Sequence, residues 1–322
     1  MEMHLSADQA EIRDSVATFL GKELPFEAVR NMAADGGIDE RNWQRCVELG
    51  WIALGVSEDA GGVGYGIAEE VVLAREIGRH LTPGPFVSTI VAAHIAQEAG
   101  AHDLLAPLLG GEQRVGMVVG ELAVDASEGG LTVRVGDEHA EIVRVDELQA
   151  RACVDPTVSV GRASLGEVLA AAPSASIRPL SSLLYGASAL GVAEFVMRQA
   201  VDYAKDRKQF GRPIGSFQAI KHRCADMAIR AYTAYAQLAA ATISLQAGSP
   251  DAPLLVDSAV LLCLDAAREN TADNIQIHGG IGFTDEHSAG WYLKRAHVLE
   301  LMAGARDSRT SRMVSAGRME FA

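Results

Sequence analysis

The chain has 322 residues, 48% of them hydrophobic and 22% charged, and carries a formal net charge of −14 at pH 7. That length allows two or three packed units with a sizeable core, and the composition is globular rather than disordered or fibrous. The acidic balance argues against a nucleic-acid binder, which needs clustered Lys and Arg, but leaves room for an anionic small ligand held by a few local cations.

In chain order, Ser6 with Gln9 three positions on is a capping-box signature, and Ile12, Val16, Phe19 and Leu20 follow at helical spacing. A second helix is expected to hold Trp43, Val47 and Leu49 and to stop at Gly50. Ser57 to Gly66 is a glycine-rich turn. A further helix carries Val71, Val72, Ala74, Arg75 and Ile77 toward Pro83-Gly84-Pro85. From about Val115 to Ala163 the period changes to two: Leu131, Val133 and Val135 alternate with polar residues between turns at Gly129-Gly130 and Gly136-Asp137, which predicts strands with one buried face.

Helices are expected to return from about Leu183. Val192, Phe195, Val196, Gln199 and Tyr203 share one face, with Tyr185 and Tyr203 read as core side chains. After Gly211-Arg212-Pro213, a stripe of Ile220, Cys224, Met227, Ala231, Ala234, Leu238 and Leu245 predicts a long helix ending at Gly248. Another runs from about Leu254 to His278. Long amphipathic helices joined by short loops point to a four-helix bundle. The reading is therefore mainly α with a small β module: an N-terminal helical domain (1–114), a β domain (115–175) and a C-terminal bundle (176–322).

Cys46, Cys153, Cys224 and Cys263 are scattered without metal spacing, which favours reduced thiols and a cytoplasmic location. Met1 to His4 carry no basic start before an apolar run, so no signal peptide is expected. No apolar stretch is read as long enough to span a membrane, since Leu254 to Ala267 is broken by Asp257 and Asp265. Nucleotide-binding GxGxxG and GxxxxGK[ST], zinc-binding HExxH and the GxSxG elbow are all missing.

Two stretches carry chemistry. In Asp206 to Ile220 (DRKQFGRPIGSFQAI) a cationic cluster sits between two helices; in Gln276 to Thr284 (QIHGGIGFT) three glycines follow a helix. Each alone is explained by helix capping and a turn. Together they closely resemble the C-terminal domain of the acyl-CoA dehydrogenase family. Glu48 to Trp51 and Glu58 to Gly64 extend the likeness to the N-terminal part. The resemblance implies that family's fold and its α,β-desaturation of acyl-CoA thioesters with FAD. It further implies that Arg207, Gln209, Phe210, Gln276, Gly279 and Gly280 touch the adenosine diphosphate half of an FAD bound largely to a neighbouring subunit. A guanidinium suits pyrophosphate and glycines let amides approach it.

The departures from the family pattern matter equally. The two positions at which members carry the catalytic glutamate are Ala303 and Ser181 here, with Ser182 next to the latter. A methyl group cannot take a proton, and a lone serine is too weakly basic. No T-E-P-x-x-G-S-D-like turn occurs in the β region, which is therefore read as reduced. Short chains of this kind resemble the non-catalytic subunits of α2β2 steroid-catabolic acyl-CoA dehydrogenases of actinobacteria. The implied partners are a larger subunit holding the base and sharing the FAD at the interface, the acyl-CoA substrate and an electron acceptor. A homo-oligomer using Glu300 or Glu286 as an unusual base, and a flavin-free scaffold, stand as alternatives. His278, His287 and His297 are read as structural, and Arg295, Arg306, Arg309 and Arg312 as a solvated basic tail.

Overall fold

Ser6 opens the first helix as its spacing to Gln9 predicts. Its hydroxyl accepts from the Gln9 amide at 3.2 Å, and the Gln9 side chain accepts from the Ser6 amide at 3.1 Å. In the computed structural model, which describes residues 5–34 and 37–319, six helices follow one another: α1 (Ala7–Glu23), α2 (Phe26–Ala34), α3 (Glu40–Glu48), α4 (Ile67–Arg79), α5 (Phe86–Glu98) and α6 (His102–Leu109). Met1 to His4 lie outside the described residues. Trp43 anchors this region. Its indole stacks on Phe86 with ring centres 4.7 Å apart, and its Nε1 donates to the Gly111 carbonyl at 2.8 Å.

Five strands then close a small barrel in the order β1 (Val115–Val119), β2 (Leu122–Val124), β5 (Val160–Pro173), β4 (His139–Arg151), β3 (Leu131–Val135). The parallel β1–β3 pairing seals it, with Met117 opposite Val133; the other neighbours are antiparallel. Of the alternating Leu131, Val133 and Val135, the first two are buried and Val135 is half-buried, while Thr132 between them is buried as well, donating its hydroxyl to the Val143 carbonyl. The strands run further than Ala163: Ala170, Ala171 and Ala172 pair with Ile142, Glu141 and Ala140. Alanines favour helix intrinsically, and here cross-strand pairing overrides that preference.

The helix α7 (Ser174–Asp206) follows at once, starting nine residues before the expected Leu183. It contains an 18-residue window apolar enough by length and composition to cross a membrane, which corrects the expectation that no stretch is; 89% of that window is buried inside the structure, as befits a core helix. α7 packs with α8 (Gln218–Gln246), α9 (Ala252–His278) and α10 (Ser288–Ala303) as a bundle, and α11 (Arg306–Met319) lies on α9. Asn270 ties three helices together: its Nδ2 donates to the carbonyls of Ala193 and Met227, and its Oδ1 accepts from Arg230.

α4 joins the N-terminal helices to the bundle by lying directly on α7. A Cβ at Gly78 would overlap the Ser188 carbonyl, and one at Gly191 the Arg75 carbonyl, so glycine is required at this crossing. Glu194 accepts two hydrogen bonds from Arg75, at 2.6 and 2.8 Å, and one from Arg79. The fork-on-carboxylate geometry adds direction to the helix contact.

Candidate functional site

Two surfaces result from this arrangement. The first lies where α7 and α9 end together. Tyr203 on α7 and His278 on α9 stack with ring centres 4.2 Å apart, and His287 packs on His278 at 4.5 Å. A polar chain runs beneath them: Asn274 donates to Gln199 at 2.8 Å, and Gln199 donates to Ser288 at 2.8 Å. Burial depresses the pKa of both His278 and His287, so the rings favour the neutral form.

This stacking brings the two sequence motifs to one end of the bundle. After Arg207 the chain forms a hairpin of β6 (Lys208–Gln209) and β7 (Arg212–Pro213), turned by Phe210 and Gly211 at φ of +53° and +80°. Left-handed backbone at both central positions matches the right-handed twist of a tight hairpin. It is unfavourable for an aromatic residue, and it leaves Phe210 92% exposed. Arg212 lies over the Phe217 ring at 4.2 Å.

The side chains of Arg207, Gln209 and Gln276 are exposed and make no hydrogen bond or ion pair with any described residue. Past α9, Gly279 takes φ +64°, and no atom lies within 4 Å of where a Cβ would stand at Gly279 or Gly280. An unpaired guanidinium and open glycine backbone at the same bundle end fit the phosphate-bearing half of a dinucleotide.

The second surface is a cavity of about 250 Å³ between β1, the start of α7 and the junction of α10 with α11. Ser181 and Ala303 both line it, so positions far apart in sequence share one site. Arg178, Arg309 and Arg312 line it as well. Arg309 is only 1% exposed; it donates to Asp257 at 2.9 Å, to Ser182 at 3.2 Å and to the carbonyl of Ala303. Burial lowers the Arg309 pKa, whereas the bond from Arg312 to the same Asp257 raises that of Arg312.

The lining includes one carboxylate, Asp137, which is fully exposed and ion-paired to Arg178 at 3.3 Å. Such a group is poorly placed to remove a carbon-bound proton. Glu300 is half-buried elsewhere on α10, Glu286 is exposed beyond the glycine turn, and neither lines the cavity. The cavity is also smaller than the ~300–1,000 Å³ of ordinary ligand sites, so it does not accommodate a whole flavin dinucleotide.

Arg295 and Arg309 correct the expectation of a solvated basic tail. Arg295 is buried, donating to Asp155 at 2.6 Å, to the Thr82 carbonyl at 3.1 Å and to Thr157. Arg306 pairs with Asp265, and Arg312 is partly exposed. Sequence reasoning missed Arg178, Asp257 and Asp137 as neighbours of the site; no local motif marks them, because folding alone brings them together. No group of three His, Cys, Asp or Glu side chains among the described residues could hold a metal ion.

Helical module, small barrel and helical bundle in this order, with glycine-rich and arginine-bearing turns at one bundle end, define a class of flavin-linked oxidoreductases. The N-terminal domain model of acyl-CoA dehydrogenases matches residues 6–112 and the C-terminal domain model matches residues 181–317. The chain is 34% identical over 295 residues to the acyl-CoA dehydrogenase IpdE2 of Mycobacterium tuberculosis, covering 89% of this chain and 90% of that protein. Two solved structures share the fold. One is the Tcur3481-Tcur3483 steroid ACAD G363A variant, with TM-score 0.83 at 22% identity over 97% of this chain and 99% of that one. The other is the ChsE4-ChsE5 complex of Mycobacterium tuberculosis, with TM-score 0.83 at 20% identity over 98% of each chain. The chain belongs to the acyl-CoA dehydrogenase family, whose members bind FAD.

Proposed function

We propose that this chain is the non-catalytic subunit of a heteromeric acyl-CoA dehydrogenase that desaturates an acyl-CoA thioester between its α and β carbons. The observation that carries the reading is the cavity in which both family base positions meet: it presents Ser181, Ala303 and a buried Arg309 where the chemistry calls for a carboxylate. A guanidinium remains protonated at physiological pH and cannot serve as that base. The base is therefore assigned to the partner subunit.

The same reading gives the bundle end its role. Arg207 would pair with the pyrophosphate of an FAD held largely by the partner, with Gln209, Phe210 and Gln276 beside it and the Gly279 and Gly280 backbone approaching closely. Such a flavin supplies hydride acceptance. Support for a partner comes from Phe210, Phe283, Tyr232 and Ile229, large apolar or aromatic side chains left at least 63% exposed. A steroid-derived acyl group and a complex of two different subunits are suggested by the names of the structural neighbours, and both, with an α2β2 stoichiometry, belong to this proposal. Four cysteines without a disulfide are consistent with a cytoplasmic setting.

The test is to purify the chain alone and together with its partner subunit, then measure flavin content and steady-state turnover. The expected result is a colourless, inactive chain that gains both in the complex, with one FAD per heterodimer. A yellow homo-oligomer that turns over by itself would overturn the proposal.

A further inference from the structure

We propose that the cavity at Ser181 and Ala303 is a binding site for a small oxyanion, a carboxylate or phosphoryl group, in the space where the family's base would stand. Three guanidiniums, those of Arg178, Arg309 and Arg312, line it. Their carboxylate partners number two, because Asp257 is shared by Arg309 and Arg312 while Asp137 serves Arg178. The site therefore keeps one positive charge in excess, inside a chain whose formal net charge is −14. A field of that sign across the molecule repels anions generally, so a local cationic cluster is set against it.

The donors around the cavity are incompletely satisfied. The Nε of Arg309 is buried and has no hydrogen-bond partner. Ser181 lines the space and its hydroxyl makes no hydrogen bond to any described group, and Ser308 also lines it. Buried polar groups in folded proteins are nearly always paired, and planar guanidinium forks match carboxylate and phosphoryl oxygens. The volume of about 250 Å³ equals roughly eight waters at ~30 Å³ each. That is enough for inorganic phosphate or a short dicarboxylate. The lining is mixed, with Met117, Val118, Val119, Val135 and Met302 opposite the polar groups, and the side bearing the three guanidiniums is the one that suits an anion.

The proposal deepens the reading of this chain as a non-catalytic subunit, but its test is independent of turnover. Titration calorimetry is performed on the full chain without a partner, at low ionic strength, with inorganic phosphate, succinate and coenzyme A as separate probes. Arg178→Gln and Arg312→Gln are measured beside the parent, leaving the buried Arg309 in place, with circular dichroism reporting the fold. The expected result is saturable one-to-one binding of at least one probe, weakened tenfold or more in either variant and by added salt. Preference for succinate assigns the site to a carboxylate, preference for phosphate to free phosphate, and a gain with coenzyme A to a coenzyme phosphate. Absence of saturation with all three probes, or affinities unchanged in both folded variants, overturns it. Should one variant fail to fold, the other decides. Loss of the site would leave the partner-subunit reading standing, since flavin content and turnover test that separately.

Discussion

The phenol of Tyr203 and the imidazole of His278 stack at 4.2 Å with planes 26° apart, and this contact locks the ends of α7 and α9 side by side. It sets the turn carrying Arg207 next to the turn carrying Gln276 and Gly279. The Arg207 side chain has no hydrogen-bond or ion-pair partner among the described residues, so its replacement tests a ligand role with little structural cost. Arg207→Ala in the assembled complex is expected to weaken FAD retention by about 1.5–3 kcal/mol, the range for a hydrogen bond to a charged group, roughly ten- to a hundredfold in affinity. Flavin content after gel filtration and FAD titration of the stripped complex read this directly. Unchanged affinity would leave Arg207 as a helix cap only.

The His278 ring also gives the fold a pH dependence of defined sign. Burial holds His80, His278 and His287 below the ordinary histidine value of 6.5. On acidification the unfolded chain therefore takes up protons on these rings before the folded chain does. Their contribution to stability is present above pH 6.5 and is lost as pH falls through the lowered folded values. Replacing His278 by Phe keeps an aromatic ring against Tyr203 and removes one such group. Urea unfolding at pH 7.0 and 5.5 should show a smaller acid loss in His278→Phe than in the parent. An equal loss in both proteins would remove His278 from the account.

Asp257 compensates two guanidiniums at once, accepting from Arg309 at 2.9 Å and from Arg312 at 2.7 and 2.8 Å. Removing it strands a buried charge, and Asp257→Ala is expected to cost about 3–5 kcal/mol of unfolding free energy. Adding Arg309→Met to that variant should recover much of the loss, because a buried pair replaced by apolar groups of similar volume is often close to neutral. Chemical denaturation of the two variants measures this. A double variant no more stable than Asp257→Ala would show that packing rather than charge dominates there.

How much of this was legible in the sequence depends on the distance over which each signal acts. The Ser6 and Gln9 box, the strand through Leu131, Val133 and Val135, and the glycines after His278 are local, and each element appears where the spacing indicates, although Thr132 is buried too and Val135 only partly. The strand through Ala170 to Ala172 was hidden because its stabilisation comes from Ala140 to Ile142 across the barrel. Helix α5 lacks a periodic signature because almost all of it is buried, leaving no polar face. The buried arginines were the least legible. Arg295 meets Asp155 from 140 residues away and Arg309 meets Asp257 from 52, so isolated basic residues read as a solvated face.

The proposed assignment of the base to the partner is tested through the carboxylates of this chain that could replace it. If Ala303 and Ser181 mark a site without a base, neither Glu300 nor Glu286 takes part in proton removal. The geometry agrees, since neither lines the cavity that holds the two positions. Glu300→Gln and Glu286→Gln, measured in the assembled complex, should leave turnover within a few-fold of the parent. Loss of a general base lowers rate by about 10²–10⁴-fold, so the two outcomes are far apart. Each variant needs its FAD content and assembly checked, because a lost flavin would lower turnover for another reason. A thousandfold fall on Glu300→Gln, with FAD bound and the complex intact, would place the base in this chain and overturn its assignment to the partner.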